Sequence, residues 1–306
     1  MSDFVRQQDT ICDFSTSNSW VILSPIEQSI KKKIEAVGTP LKDWDIQINY
    51  GIKTGCNEAF IISTEKRKEI LDNCQTEDER KRTAELIRPI LRGRDIKRYG
   101  YEWAELWLIA TFPSRHYNIE EYPAVKQYLL SFGIERLEQT GKTHIVNGEK
   151  VKARKKTHNK WFETQDSISY WNEFFKQKII WGNLALSAQF AWAEEGYFIN
   201  APSSMIVPGN KYLLAVLNSK LADWYIRQLG VTRNGGYFEY KPMFIEQLPV
   251  PMIDEDAQVP YIRLVDKILE EKRALNDTQF LESEINRLVY ALYHLSEEEI
   301  LYIEAQ

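Results

Sequence analysis

The sequence predicts an α+β chain, with a mixed-sheet domain over residues 15–252 followed by an acidic helical extension of paired helices over residues 253–306. Two observations predict it. Short strand-like and helix-like runs are interspersed through the first 250 residues, and two longer helical stretches follow Pro249-Val250-Pro251, a natural boundary.

The elements read in order as follows. Ser24-Pro25-Ile26-Glu27 is a helix start, with Ser24 as cap, Pro25 in the first turn and Glu27 closing a capping box. That helix runs to about Val37 and stops at Gly38. Trp44, Ile46, Ile48 and Tyr50 alternate with polar residues, so 44–50 reads as a half-buried strand. A turn, Gly51-Ile52-Lys53-Thr54-Gly55, leads to a short strand at 59–62. Residues 64–71 and 78–87 read as charged surface helices, the second ended by Pro89.

Residues 106–111 form an apolar strand, and 122–132 and 134–139 are helical. Asn147-Gly148 turns a hairpin within the basic stretch 141–160. Residues 167–175 read as a helix. Strands are expected at 178–181, 189–192, 196–199 and 204–207, and helices at 212–217 and 220–229. Beyond Pro251, 259–275 and 279–294 are helical. Leu281, Ile285, Leu288 and Leu292 form a seam in the last of these, facing either its own hairpin or a partner helix.

Composition narrows the function classes. Hydrophobic residues are 43% and charged residues 27% of the 306, as in an ordinary globule. No apolar run approaches the ~18 residues of a membrane span, and Met1–Arg6 lacks a basic-then-apolar leader. Cys12, Cys56 and Cys74 are odd in number and widely spaced, which argues against a disulfide framework or zinc site and fits a reducing cytoplasm. The formal charge of −5 conceals an asymmetry. Thirteen Asp/Glu face five Lys/Arg beyond Met252, so the rest of the chain is weakly basic.

That basic excess is clustered. Arg92, Arg94, Lys97 and Arg98 fall within seven residues, bracketed by Gly93 and Gly100 and followed by Tyr99 and Tyr101. Residues 141–160 hold seven Lys/Arg against Glu149 alone, and Arg154-Lys155-Lys156-Thr157-His158-Asn159-Lys160-Trp161-Phe162 mixes cations, amides and aromatics. Cations neutralise phosphates, while Asn and Arg can pair with adenine and guanine edges. Lys53, Thr54 and Asn57 lie in a Gly-bracketed turn able to grip a phosphate, and Arg233 and Asn234 sit in a third polar Gly loop. The alternative for each is a solvated surface turn.

Catalytic signatures are scarce. The chain has no GxGxxG, no P-loop, no acidic-x-aromatic-x-Gly-x-Gly and no Asn/Asp/Ser-Pro-Pro-aromatic tetrapeptide. Ala201-Pro202-Ser203-Ser204 is the nearest approach to the last of these, without the needed groups. Asp72 with Glu79-Arg80-Lys81 has the letters of a magnesium-dependent nuclease, on a charged helical run. His116, His144, His158 and His294 are isolated.

The loops in their order resemble the TaqI-like C-terminal specificity domain, the target recognition domain of adenine-specific DNA methyltransferases and of fused restriction-modification enzymes. The matching strings begin with Tyr50-Gly51-Ile52-Lys53-Thr54-Gly55-Cys56-Asn57-Glu58-Ala59-Phe60 and Ile87-Arg88-Pro89-Ile90-Leu91-Arg92-Gly93-Arg94-Asp95-Ile96-Lys97-Arg98-Tyr99. Arg154-Lys155-Lys156-Thr157, Asn159-Lys160-Trp161-Phe162-Glu163 and Lys178-Ile179-Ile180-Trp181 follow. Then come Leu217-Asn218-Ser219-Lys220-Leu221, Phe244-Ile245-Glu246-Gln247-Leu248-Pro249-Val250-Pro251 and a helical tail from Ile285. The resemblance spans nearly the whole chain after about residue 15.

It implies a sequence-specific double-stranded DNA-binding module with no catalysis or cofactor of its own, as a fragment or separate specificity subunit. A methyltransferase or nuclease domain or subunit would supply S-adenosylmethionine and, for cleavage, magnesium. The family role is to position DNA for N6-adenine methylation or cleavage by that partner. Lys53, Thr54, Asn57, Arg92, Arg94, Lys97, Arg154, Lys156, Asn159, Lys160, Arg233 and Asn234 are the expected DNA contacts. Two other classes stay open: a magnesium-dependent nuclease built around Glu79, and a protein-interaction subunit docking a methyltransferase.

Overall fold

The computed structural model describes residues 23–306 apart from Val231. The readings at Met1–Arg6 and Cys12, and the start of the domain expected from residue 15, lie outside the described residues. The chain divides into two compact units. Of the described residues, the first holds 23–46, 184–188 and 210–306, and the second holds 47–183 and 189–209.

The first unit is mainly helical. Pro25–Val37 starts as the sequence predicts: Ser24 Oγ accepts from Glu27 N, and the Glu27 carboxylate accepts from Ser24 N. Gly38 is needed where this helix ends, because a Cβ there would lie 2.4 Å from the Pro249 carbonyl carbon. Next to it Thr39–Pro40 pairs with Pro249–Val250, so the Pro-Val-Pro segment is itself a short strand. Glu255–Arg273 begins four residues before the expected start, because Asp254 caps it by accepting from Ala257 N, and Pro260 lies inside it. Gln279–Leu292 packs against it. Of the apolar seam, Leu281 and Ile285 are buried and Leu288 and Leu292 half-buried; Val289 is buried beside them, and Tyr261 Oη donates to Leu288 O. Glu297–Glu304 closes the unit through a second capping box at Ser296 and Glu299. Glu299 also accepts from Ser29 and Lys33 on the first helix.

The second unit is built on two four-stranded sheets. One runs Phe190–Ala193, Lys178–Trp181, Ser204–Val207, Gln47–Tyr50, antiparallel throughout. The other runs Phe198–Ile199, Ile87–Leu91, Leu106–Ile109, Ile61–Ser63 and is mixed, its first pair parallel. Phe60, Ile90, Leu91, Leu108, Phe174, Ile180, Phe198 and Met205 belong to one continuous buried core.

Four local expectations are corrected. Residues 59–62 are not one strand: Ala59 and Phe60 donate to Cys56 O, making a helical turn Asn57–Phe60 before the strand Ile61–Ser63. Pro89 does not simply end a helix but lies inside the strand Ile87–Leu91. That strand pairs with Leu106–Ile109 through Pro89 and with Phe198–Ile199 from Ile90 on, so the proline sits where the neighbour changes. Residues 167–175 do not form an α-helix, because Ile168 is left-handed at φ 52, and only a 3-10 segment Trp171–Phe175 follows. The strand expected from Trp44 begins at Gln47.

The Asn147-Gly148 hairpin forms as expected between Thr143–Val146 and Glu149–Lys152, with φ 50 and 83 at the two turn residues. Positive φ at both is the requirement of a type I′ turn.

Candidate nucleic-acid interface

The site is assembled around one guanidinium. Arg154 is 5% exposed and donates to four backbone carbonyls: Leu137 from Nε at 2.8 Å, Thr54 and Glu163 from Nη1 at 2.8 Å each, and Trp161 from Nη2 at 2.6 Å. The cation also stacks 5.0 Å from the Phe60 ring. Burial pushes it down to about 10, which leaves it charged at neutral pH. Its planar fork serves four carbonyls from three separate stretches, one more than the three N–H bonds of an ammonium could supply.

One of those stretches is the Gly-bracketed turn. A Cβ at Gly51 would lie 2.7 Å from the Asn200 carbonyl carbon, and one at Gly55, with φ +75, would lie 3.0 Å from Arg154 Cδ and Gln165 Oε1. Both positions therefore require glycine. Between them Thr54 is fully buried; its hydroxyl donates to Asn57 Oδ1 at 2.7 Å and accepts from Cys56 N at 3.1 Å. The Lys53 carbonyl accepts from Gln165 and Asp166 N–H, so the lysine's backbone is fixed while its side chain is exposed.

The loop 155–165 is held by amides. Gln139 Nε2 donates to the carbonyls of Lys160, Glu163 and Thr164, and its Oε1 accepts from Thr157 Oγ1. Asn159 Nδ2 donates to Thr164 O and Gln165 O. Together these segments enclose an open pocket of about 640 Å³ lined by Lys53, Asn57, Lys152, Lys155, Gln165 and Asn200, among others. An ion pair between Arg136 and Glu58 borders it. Lys53, Lys152 and Lys155 are exposed and have no carboxylate partner among the described residues. The arrangement presents unneutralised ammonium groups on a rigid backbone, a chemistry suited to an anionic ligand.

Three of the expected contacts are engaged inside the fold. Arg154 holds carbonyls rather than facing solvent, Asn159 has both amide hydrogens engaged internally, and the Thr54 hydroxyl is closed off by Asn57 and Cys56. Arg92 is also tied down. It makes a bidentate pair with the buried Asp95 at 3.0 and 2.8 Å, and Asp95 additionally accepts from Arg92 N. Arg94, Lys97, Lys156 and Lys160 are exposed; Lys97 donates to Arg94 O, and Lys160 lies 5.5 Å from the Phe162 ring. In the first unit, Arg233 pairs with Glu239 at 3.0 Å, and Asn234 is exposed in a tight turn completed by Gly235 and Gly236.

Lys152, Lys155, Arg136 and Gln165 were not picked out by the sequence as contacts. The two lysines belonged to the recognised basic stretch, and the buried Arg154 between them is the position that composition could not separate. Arg136 and Gln165 reach the pocket only through tertiary folding. The acidic letters of the nuclease reading are used structurally. Glu79 is buried, accepting from Gln75 N and Ala124 N, and Asp72 pairs with Arg80.

The chain is similar to several known proteins. The model of the TaqI-like C-terminal specificity domain matches residues 88–250. The type II methyltransferase M.XhoI of Xanthomonas vasicola is 22% identical over 292 residues, covering 92% of this chain and 46% of its own length. The solved structure of the type IIL restriction-modification enzyme MmeI in complex with DNA gives a TM-score of 0.60 at 11% identity, covering 88% of this chain and 37% of that one. The type IIG restriction endonuclease BpuSI gives a TM-score of 0.49 at 15% identity, over 88% and 32%. The chain thus spans somewhat under half the length of the curated relative it matches. With more than half of its residues inside the match and its mixed-sheet fold shared with a restriction-modification enzyme, the chain belongs to the TaqI-like C-terminal specificity domain family.

Proposed function

We propose that this chain recognises double-stranded DNA sequence-specifically as the specificity part of a restriction-modification system. A catalytic domain or subunit would use the positioned DNA for N6-adenine methylation or cleavage, supplying S-adenosylmethionine and, for cleavage, magnesium. The observation that carries this reading is the pocket of unpartnered Lys53, Lys152 and Lys155 on a backbone locked by Arg154. Ammonium groups without carboxylate partners release condensed counterions when they meet phosphates, and this favours binding. Lys156, Lys160, Arg94 and Lys97 extend the phosphate-contacting set, and Arg233 and Asn234 are candidate base contacts on the first unit.

The test is duplex binding by fluorescence anisotropy, first with a randomised library at low salt and then with the sequences it selects. Selection of a defined site, with affinity falling steeply as salt rises, is expected. Lys155→Ala should weaken selected and scrambled duplexes alike and flatten the slope of log K against log salt by about 0.9. Absence of duplex binding at low salt would overturn the reading.

A further inference from the structure

The hairpin that rises from this pocket has a composition of its own. Thr143–Val146 pairs with Glu149–Lys152 in the register Thr143↔Lys152, His144↔Val151, Ile145↔Lys150, Val146↔Glu149. Side chains alternate across a strand, so Thr143, Ile145, Lys150 and Lys152 share one face and His144, Val146, Glu149 and Val151 the other. The two faces differ in exposure. All four residues of the first are exposed, with Ile145 at 67%, while His144, Val146 and Val151 are half-buried. The exposed face carries two of the hairpin's lysines and no carboxylate. Lys142, Lys150 and Lys152 have no ion-pair partner among the described residues.

The hairpin is also tied at its base. Its tip is a type I′ turn, and below the paired strands Ala153 N donates to Lys142 O and Gly141 N to Arg154 O. Those bonds continue the ladder down to the buried Arg154. The same guanidinium fixes the Gly-bracketed turn that carries Lys53. Ribbon and pocket therefore share the Arg154 anchor.

We infer that the ribbon Thr143–Lys152 enters the major groove of duplex DNA and reads base edges with Thr143, Ile145 and Lys150, while Lys53, Lys152 and Lys155 of the pocket at its base hold the backbone. This rests on the DNA-binding reading above and names the element that confers sequence preference. A major groove about 12 Å wide admits a two-stranded ribbon. Each four-residue strand is about 13 Å long at ~3.3 Å per residue, enough to reach the groove floor. The residue types suit base reading. A lysine ammonium donates to guanine O6 and N7, a threonine hydroxyl pairs with several edges, and an isoleucine packs on a thymine methyl. Charge complementarity selects nucleic acid over a protein partner, because the face combines cations with a single apolar side chain and has no wider apolar patch.

The test uses the full chain and the duplex selected from the randomised library. Ile145→Ala and Lys150→Ala lie on an exposed face and leave the core untouched. Each should lower discrimination between selected and scrambled duplex by about 5- to 150-fold, the effect of one base contact, with binding to scrambled duplex within about twofold of the parent. Base analogues then locate the contact. Uracil for thymine or 7-deazaguanine for guanine should weaken the parent chain at defined base pairs and have no further effect on the matching variant. Inosine for guanine, which alters only the minor groove, should leave the ribbon's contribution intact. If both variants keep the parent's site preference, or the lost discrimination responds only to minor-groove changes, the inference is wrong. A protein-binding role for the ribbon would give the first of those results. Failure of the parent chain to bind any duplex would instead remove the DNA-binding reading on which the inference rests.

Discussion

The two basic stretches of this chain look alike in sequence and are used in opposite ways. Arg92–Arg98 turns part of its charge inward, while Arg94 and Lys97 stay exposed. Asp95 is buried against Arg92, Ile96 and Tyr99 are core residues, and Lys97 donates to a backbone carbonyl. The stretch from Lys142 to Lys160 does the reverse. Its one arginine is buried and, among the described residues, its lysines have no carboxylate partner. Arginine serves as the internal connector in both places, and lysine supplies the presented charge in the second. A count of cations therefore overstates what the first stretch offers to a ligand and misassigns which residue of the second does the presenting.

The sharpest way to break this comparison is Arg154→Met. Four carbonyls lose their donor at once, so unfolding stability should fall by at least about 3 kcal/mol, measured by urea titration. Arg154→Lys should recover only part of it, because an ammonium cannot serve four acceptors in a fork. Full stability in either variant would mean that Arg154 is not a connector. Asp95→Asn should come next, at about 1–3 kcal/mol, since it weakens the charge-assisted bonds to Arg92 and leaves a partly satisfied buried pair. If the inward use of Arg92 is correct, Arg92→Ala will have less effect on duplex affinity than Lys155→Ala in parallel anisotropy titrations.

A pH-dependent effect belongs to a second buried cation, Lys178, whose ammonium donates to the carbonyls of Phe174, Lys176 and Glu194. Burial lowers it to about 8 from an ordinary 10.5. Between those values the folded chain releases its proton before the unfolded chain does, so this residue makes stability rise with pH across that window. Comparison of the parent with Lys178→Met in chemical denaturation across that window isolates the slope. An unchanged slope would show that the site does not titrate there.

Much of the fold was legible because its signals are local. The box at Ser24–Glu27, the Asn147-Gly148 turn, and the buried runs Lys178–Trp181 and Ser204–Val207 each carry their cause within a few residues. The misread elements depend on distant partners. Pro89 is tolerated in a strand because Leu106–Ile109 and Phe198–Ile199 divide the pairing around it, and neither segment adjoins it in sequence. The candidate site followed the same division. Its basic loops and glycine turns were visible as types. The burial of Arg154 depends on the Thr54 carbonyl a hundred residues away, and Asn159 is occupied by carbonyls that only the folded loop brings within reach.

The closed base of the ribbon also sets a grammar for how its sequence can change. Because the bonds at Gly141–Arg154 and Lys142–Ala153 lie below the paired strands, the segment above them can be exchanged without touching the connector. A residue added to each strand extends the reach by about 3.3 Å but interchanges the two faces above the insertion. Two residues added to each strand restore the facing and lengthen the arm by about 7 Å. Length variation among descendants of this chain should therefore favour matched insertions of two residues per strand, with an odd step tolerated only where a bulge absorbs it.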